Sequence, residues 1–140
     1  MSRIFELIKN PAPVTLSVSA TVLDASKKMA ENLIGSILVM EGQNLVGIFT
    51  ERDLLNRVVA KELDPGSLKL SQVMSKNVCT VSVQETVEDC FNKMEQTKCR
   101  HIPVVDGEAL VGVVTMRNIL EWLTQEMKDE NLHLKNYIQS

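Results

Sequence analysis

Two histidines and three scattered cysteines in 140 residues leave little material for a metal centre. Such a centre needs His, Cys and carboxylate ligands at set spacings, and Cys79, Cys90 and Cys99 form no C-x-x-C pair. Their odd number also argues against a disulfide framework and fits free thiols in a reducing cytoplasm. No apolar run approaches the ~18 residues of a membrane-spanning helix. The first apolar segment is interrupted by Arg3 and Glu6 and has no small-residue cleavage pattern, so no signal peptide is expected. A net charge of −3 denies nucleic acid the broad basic surface it requires. No nucleophile–base–orienter set and no acid–base pair of carboxylates stands out, so no enzyme is expected. What remains is ordinary for a globular protein: 44% hydrophobic residues, 24% charged, and enough length for a real core.

The informative feature is a repeat. Sliding the chain by 65 positions aligns residues 14–55 with 79–120 without a gap, and 17 of the 42 pairs are identical. Unrelated segments of average composition would share about two or three. The strongest match is Gly47-Ile-Phe-Thr50-Glu-Arg-Asp53 against Gly112-Val-Val-Thr115-Met-Arg-Asn118. The chain is an internal duplication.

Each copy parses alike. Val14–Val18 and Cys79–Val83 alternate and are rich in β-branched residues, predicting short strands. Helices are expected over Thr21–Leu33 and Thr86–Lys98, where Val22, Ala25 and Met29, and Val87, Cys90, Phe91 and Met94, recur at helical spacing. Two strands follow in each copy, Ser36–Met40 with Leu45–Phe49 and His101–Val105 with Leu110–Val114, each pair joined by a short Gly-containing hairpin link. Closing helices begin near Glu51 and Met116. Their apolar stripes are Leu54, Leu55, Val58 and Val59, and Ile119, Leu120, Leu123 and Met127. The unit is β-α-β-β-α, present twice, an α/β (α+β) architecture. The expected boundaries are 8–62 for the first repeat, 63–67 for a turn-rich linker around Asp64-Pro-Gly-Ser67, 68–125 for the second repeat and 126–140 for a polar helical tail. Residues 1–10 read as a further flanking helix.

A duplicated β-α-β-β-α unit with Gly-h-h-Thr-x-x-Asp closing each sheet resembles the cystathionine-β-synthase (CBS) domain pair, or Bateman module. Val73-Met74-Ser75, Thr80-Val81 and Arg100-His101-Ile102-Pro103-Val104-Val105-Asp106 carry the rest of the resemblance, which covers roughly residues 8–125. It implies two units packed as a pseudo-two-fold pair, with an adenosine-containing ligand in the cleft between them: AMP, ADP or ATP, with S-adenosylmethionine or NAD(H) as further possibilities. By motif, Asp53 would accept from the ribose hydroxyls, while Thr50 and its neighbour Arg52, with helix N–H groups, would face ribose or phosphate. Adenine would lie among Ile34–Ile37, including Ser36 and Ile37, and beneath Ile48. Family modules also pair through their helices, so a homodimer is expected, with Leu54/Val58 and Leu120/Leu123/Met127 facing the second protomer.

Physical chemistry supports the first site. A carboxylate accepts from both hydroxyls of a diol, and a helix start favours anions. The second copy departs from the pattern, with Asn118 at the Asp position beside Thr115 and Arg117. An amide gives no charge assistance, so a weaker or different site is expected there. Arg100, His101 and Ile102 align with Gly35, Ser36 and Ile37, and Arg100, His101 and Lys76 could supply phosphate contacts.

A plainer reading stands beside each signal. Thr-x-x-Asp is also a helix capping box. Cys99 and His101 share a strand face and could form a reactive thiol, or could be ordinary strand residues. At the level of function, a regulatory module that senses adenine nucleotides and biases a partner protein competes with a structural dimerisation module carrying vestigial sites.

Overall fold

The computed structural model describes residues 3–8 and 13–139. Its elements run β1 (Thr15–Ser17), α1 (Val22–Asn32), β2 (Ser36–Glu41), β3 (Asn44–Thr50), α2 (Glu51–Asp53), α3 (Leu70–Val73), β4 (Val81–Ser82), α4 (Val87–Thr97), β5 (His101–Asp106), β6 (Ala109–Thr115) and α5 (Met116–Gln139). The architecture is mixed α+β with two three-stranded sheets, ordered β1-β2-β3 and β4-β5-β6.

Both sheets use the same plan. The outer short strand runs parallel to the next, as in Thr15↔Leu38 and Val81↔Val104. The hairpin that follows is antiparallel, with Val39↔Gly47 and Val104↔Gly112 in register before a one-residue bulge. The hairpin turns need a positive φ, which Gly42 (61°) and Gly107 (63°) supply without a Cβ penalty.

Local sequence sets the helix limits. Thr21 Oγ1 accepts from the Asp24 N–H at 3.1 Å, and the Thr21 N–H donates to Asp24 Oδ2 at 3.1 Å. Thr86 and Asp89 repeat this box at 3.1 and 3.2 Å. Each box satisfies two amides that a helix start would leave unpaired, stabilising it by about 1 kcal/mol. Leu33 (φ 54°) and Lys98 (φ 59°) end the helices in the left-handed region.

The chain divides into two compact units, one of residues 11–79 and one of 80–140 together with 1–10. The division falls after the turn α3, which sequence reasoning grouped with the second repeat. Leu70, Val73 and Met74 join the core built from Val22, Ala25, Met29, Ile37, Val39, Phe49 and Val58. In the other unit, Ile4 and Leu7 join Val81, Val87, Cys90, Met94, Ile102, Val104, Val114 and Ile119. The segment ahead of each repeat thus packs with the sheet of the other copy. Where such a segment crosses, the strand carries glycine. A Cβ on Gly47 would overlap the Met74 side chain and lie 3.1 Å from the Ser75 carbonyl oxygen, and one on Gly112 would meet Ile8 at 3.0 Å. Ser75 also exchanges backbone hydrogen bonds with Ile48, at 3.0 and 2.9 Å.

Other expectations change in detail. Among the described residues near the amino terminus, the helix reduces to one 3-10 turn, Ile4–Glu6; residues 1, 2, 9 and 10 lie outside the description. After Asp53 the first closing helix widens into a π-helix, Leu54–Val59, whose end is marked by Ala60 N–H to Leu55 O at 2.9 Å and Leu63 N–H to Val58 O at 3.0 Å. Val58 is fully buried in its own unit's core, so its side chain is not on a surface that a second protomer could meet. The second closing helix runs on through the expected tail as one element of 24 residues.

Candidate functional site

The corner where β3 turns into α2 brings the first set of expected residues together. Ser36 and Thr50 are opposite one another in the β2–β3 register, at the open end of the hairpin. Glu51 starts the helix with its N–H bonded to the Gly35 carbonyl at 3.0 Å. The Thr50 N–H donates to Asp53 Oδ2 at 3.0 Å, and Thr50 Oγ1 accepts from the Asp53 N–H at 3.2 Å. Two of the first-turn amides, at Glu51 and Asp53, are therefore spent within the protein rather than left open to a phosphate. What the corner does present is carboxylate. Asp53 Oδ1 is not consumed by the cap, and Arg57 Nε sits 3.6 Å from it on the next helical turn. Arg57 is itself held by Nη1 donating to the Val73 carbonyl at 2.8 Å, which ties this corner to α3.

The second corner copies the first. His101 is opposite Thr115, and the Met116 N–H donates to the Arg100 carbonyl at 2.9 Å. The Thr115 N–H donates to Asn118 Oδ1 at 2.9 Å, and Thr115 Oγ1 accepts from the Asn118 N–H at 3.1 Å. The cap uses the amide's oxygen, so the atom turned outward is a nitrogen that can only donate. Trp122 stands where the first copy has Arg57. One corner therefore offers an anionic acceptor with a guanidinium beside it; the other offers a neutral donor.

The remaining expected residues fall into three groups. Arg52, Lys76 and Arg100 are exposed, and Arg117 is exposed with its Nε on Glu121 at 3.2 Å. Lys76, expected as a further positive charge at the second site, follows Ser75, whose backbone pairs with Ile48 of β3 within the unit of residues 11–79. Ser36 is buried and His101 half-buried. Ile37 and Ile102 are fully buried in the two cores, which restricts them to backbone contacts with any ligand. Ile48 is buried too, whereas Ile34 shows a side-chain surface. The Cys99 thiol donates to the Thr97 carbonyl at 3.6 Å. Arg57 was not among the expected residues, although an Arg four positions after an Asp on a helix is a recognisable pair. Among the described residues no group of three His, Cys, Asp or Glu converges as a metal site, and no helix is long and apolar enough to cross a membrane.

Comparison with known proteins gives this geometry its context. The CBS domain family matches twice, over residues 5–60 and 70–125. The CBS domain-containing protein CBSX3, mitochondrial, of Arabidopsis thaliana is 31% identical over 85% of this chain, which spans 60% of that relative's length. The crystal structure of the CBS domain protein NE2398 superposes with a TM-score of 0.84 at 28% identity, covering 89% of this chain and 99% of that one. PAE2072 of Pyrobaculum aerophilum, a CBS domain protein solved as a complex with AMP, superposes with a TM-score of 0.76 at 28% identity, covering 88% and 98%. With both repeats matched and the fold shared, the chain belongs to the CBS domain family.

Proposed function

We propose that this chain is a regulatory module that binds an adenosine nucleotide, with the β3–α2 corner as its stronger site. The observation that carries this reading is the free side of Asp53. The Asp53 side chain is 12% exposed; the cap needs one carboxylate oxygen, and the second is steadied by Arg57 and can accept from ribose hydroxyls. Ser36 and Thr50 supply neighbouring hydroxyls, and exposed Arg52 and Lys76 supply positive charge for phosphates. The β6–α5 corner binds more weakly or takes a different ligand, with Arg100, His101, Arg117 and Asn118 around Thr115. The AMP complex of PAE2072 supports AMP as the first ligand to try. Binding would act on a partner protein only through a difference in affinity between two conformations of the module.

The test is thermal unfolding with AMP, ADP, ATP, S-adenosylmethionine, NAD⁺ and NADH. A ligand at about 100 times its dissociation constant stabilises the fold by roughly 2.7 kcal/mol per site. Asp53→Asn keeps an oxygen for the cap, as Asn118 does, and should cut the shift sharply. No shift across the panel in ligand-free protein would overturn the reading.

A second reading, an interaction module, is favoured by the exposed apolar side chains Leu55, Val59, Leu120, Leu123 and Met127 on the closing helices. The two readings are compatible, since a sensor must present a surface to whatever it regulates.

A further inference from the structure

Building on the nucleotide reading of Asp53, we propose that Arg57 is a positioning residue that couples occupancy of the first corner to the docking of α3 on β3. Its guanidinium stands between two groups far apart in sequence. Nε lies 3.6 Å from Asp53 Oδ1, and Nη1 donates to the Val73 carbonyl at 2.8 Å. Val73 closes α3, where helix carbonyls run out of intrahelical donors, so the guanidinium completes the end of that helix. The ribose acceptor and α3 therefore share one charged side chain.

The element at the far end depends on what docks it. A single turn such as α3 is too short to be stable by itself. It is held by Leu70, Val73 and Met74 in the core of its unit, by the backbone pair of Ser75 with Ile48, and by Arg57. Such a turn opens locally at lower cost than the core strands do. It also begins the stretch of chain that runs on to β4 in the other unit.

A ligand at Asp53 changes the hold on Arg57 in one direction. The Arg57 side chain is 45% exposed and its approach to Asp53 is longer than a hydrogen bond, so water weakens the pair. A ribose seated on Oδ1 displaces that water, and the nucleotide's phosphate brings a second anion toward the guanidinium. Arg57 can meet both without releasing Val73, because the carbonyl takes only one of its five N–H donors. Occupancy thus holds Arg57 more firmly, and α3 with it. The second corner has no such link. Trp122 takes the place of Arg57 and packs against the core that contains Ile4 and Leu7, an apolar contact indifferent to a ligand's charge.

Hydrogen exchange on the full chain, with and without saturating AMP, tests this. The reporters are the amides of Met74, bonded to the Leu70 carbonyl, and of Ser75, bonded to that of Ile48. In the wild type AMP should slow their exchange about fivefold or more beyond any slowing at Val104 and Val114 of the other unit. In saturated Arg57→Met, which keeps an apolar stem without the charge, this excess should vanish, and Arg57→Lys should recover part of it. If the wild type binds no AMP, the nucleotide reading falls and the coupling falls with it. If AMP binds and D53N weakens it, yet Met74 and Ser75 show no excess slowing, or the same excess in R57M, the nucleotide reading stands and the coupling is overturned.

Discussion

The two repeats set the same threonine at the same corner and then part ways. In the first, Asp53 is followed by Arg57 and a short π-helix; in the second, Asn118 is followed by Trp122 and a helix that runs to Gln139. The hydrogen bonds of the cap are nearly identical, 3.0 and 3.2 Å against 2.9 and 3.1 Å. Capping asks only for one acceptor oxygen, which Asp and Asn both have. The fold therefore does not choose between them. The second atom of the side chain is free to differ, and there the corners take opposite hydrogen-bonding character.

Paired substitutions can break or sharpen this contrast. The largest effect is expected in the cores, where Phe49 in the first repeat occupies the position of Val114 in the second, both fully buried. Phe49→Ala should cost about 3–5 kcal/mol in denaturant unfolding, and Val114→Ala about 2. Equal costs would mean that the first core collapses around the lost ring. Next come the crossing glycines. Gly47→Ala meets the Ser75 backbone as well as the Met74 side chain, and should cost about 1–3 kcal/mol. Gly112→Ala meets only the methyl of Ile8, which can move, and should cost under about 1 kcal/mol by the same measurement.

The smallest effect should be the same in both repeats. The Thr21 backbone N–H, and then its hydroxyl, hold the Asp24 carboxyl below its ordinary value; Thr86 does the same for Asp89. A carboxyl whose folded pKa is depressed stabilises the fold above its unfolded value of about 4 and loses that contribution as pH falls through the folded value. Thermal midpoints followed downward from pH 5 should fall less steeply in Asp24→Asn and Asp89→Asn, by similar amounts. A large difference between the two would show that these boxes are not equivalent.

Much of the fold was legible because its signals are local. Thr21, Thr86, Thr50 and Thr115 each announce a helix start, and the glycine links announce the hairpins. The 65-residue shift then doubled every inference. What was not legible depends on partners distant in sequence. Leu70–Val73 opens the second repeat, as the family match also has it, and only its packing with Phe49 and Val58 shows that it shares the first unit's core. The stripe Leu54, Leu55, Val58 and Val59 fits an α-helix, and the π-turn that buries Val58 leaves no mark in that pattern. At the candidate site, Thr50 and Asp53 were evident from their spacing. Ile37 and Ile102 were expected beside a ligand through the family resemblance; that both side chains are fully buried is not written in strands as uniformly apolar as β2 and β5. Arg57 was overlooked although its spacing from Asp53 was visible.

Isothermal titration of AMP into wild type, Asp53→Asn and Asn118→Asp tests the inequality of the two corners most directly. Loss of a charge-assisted hydrogen bond is worth roughly 1.5–3 kcal/mol, so D53N should weaken the tighter binding event about 10- to 100-fold. N118D should leave that event in place and strengthen the weaker one. If D53N binds AMP as the wild type does, or if N118D alone abolishes the tighter event, the carboxylate at the first corner is not what holds the nucleotide.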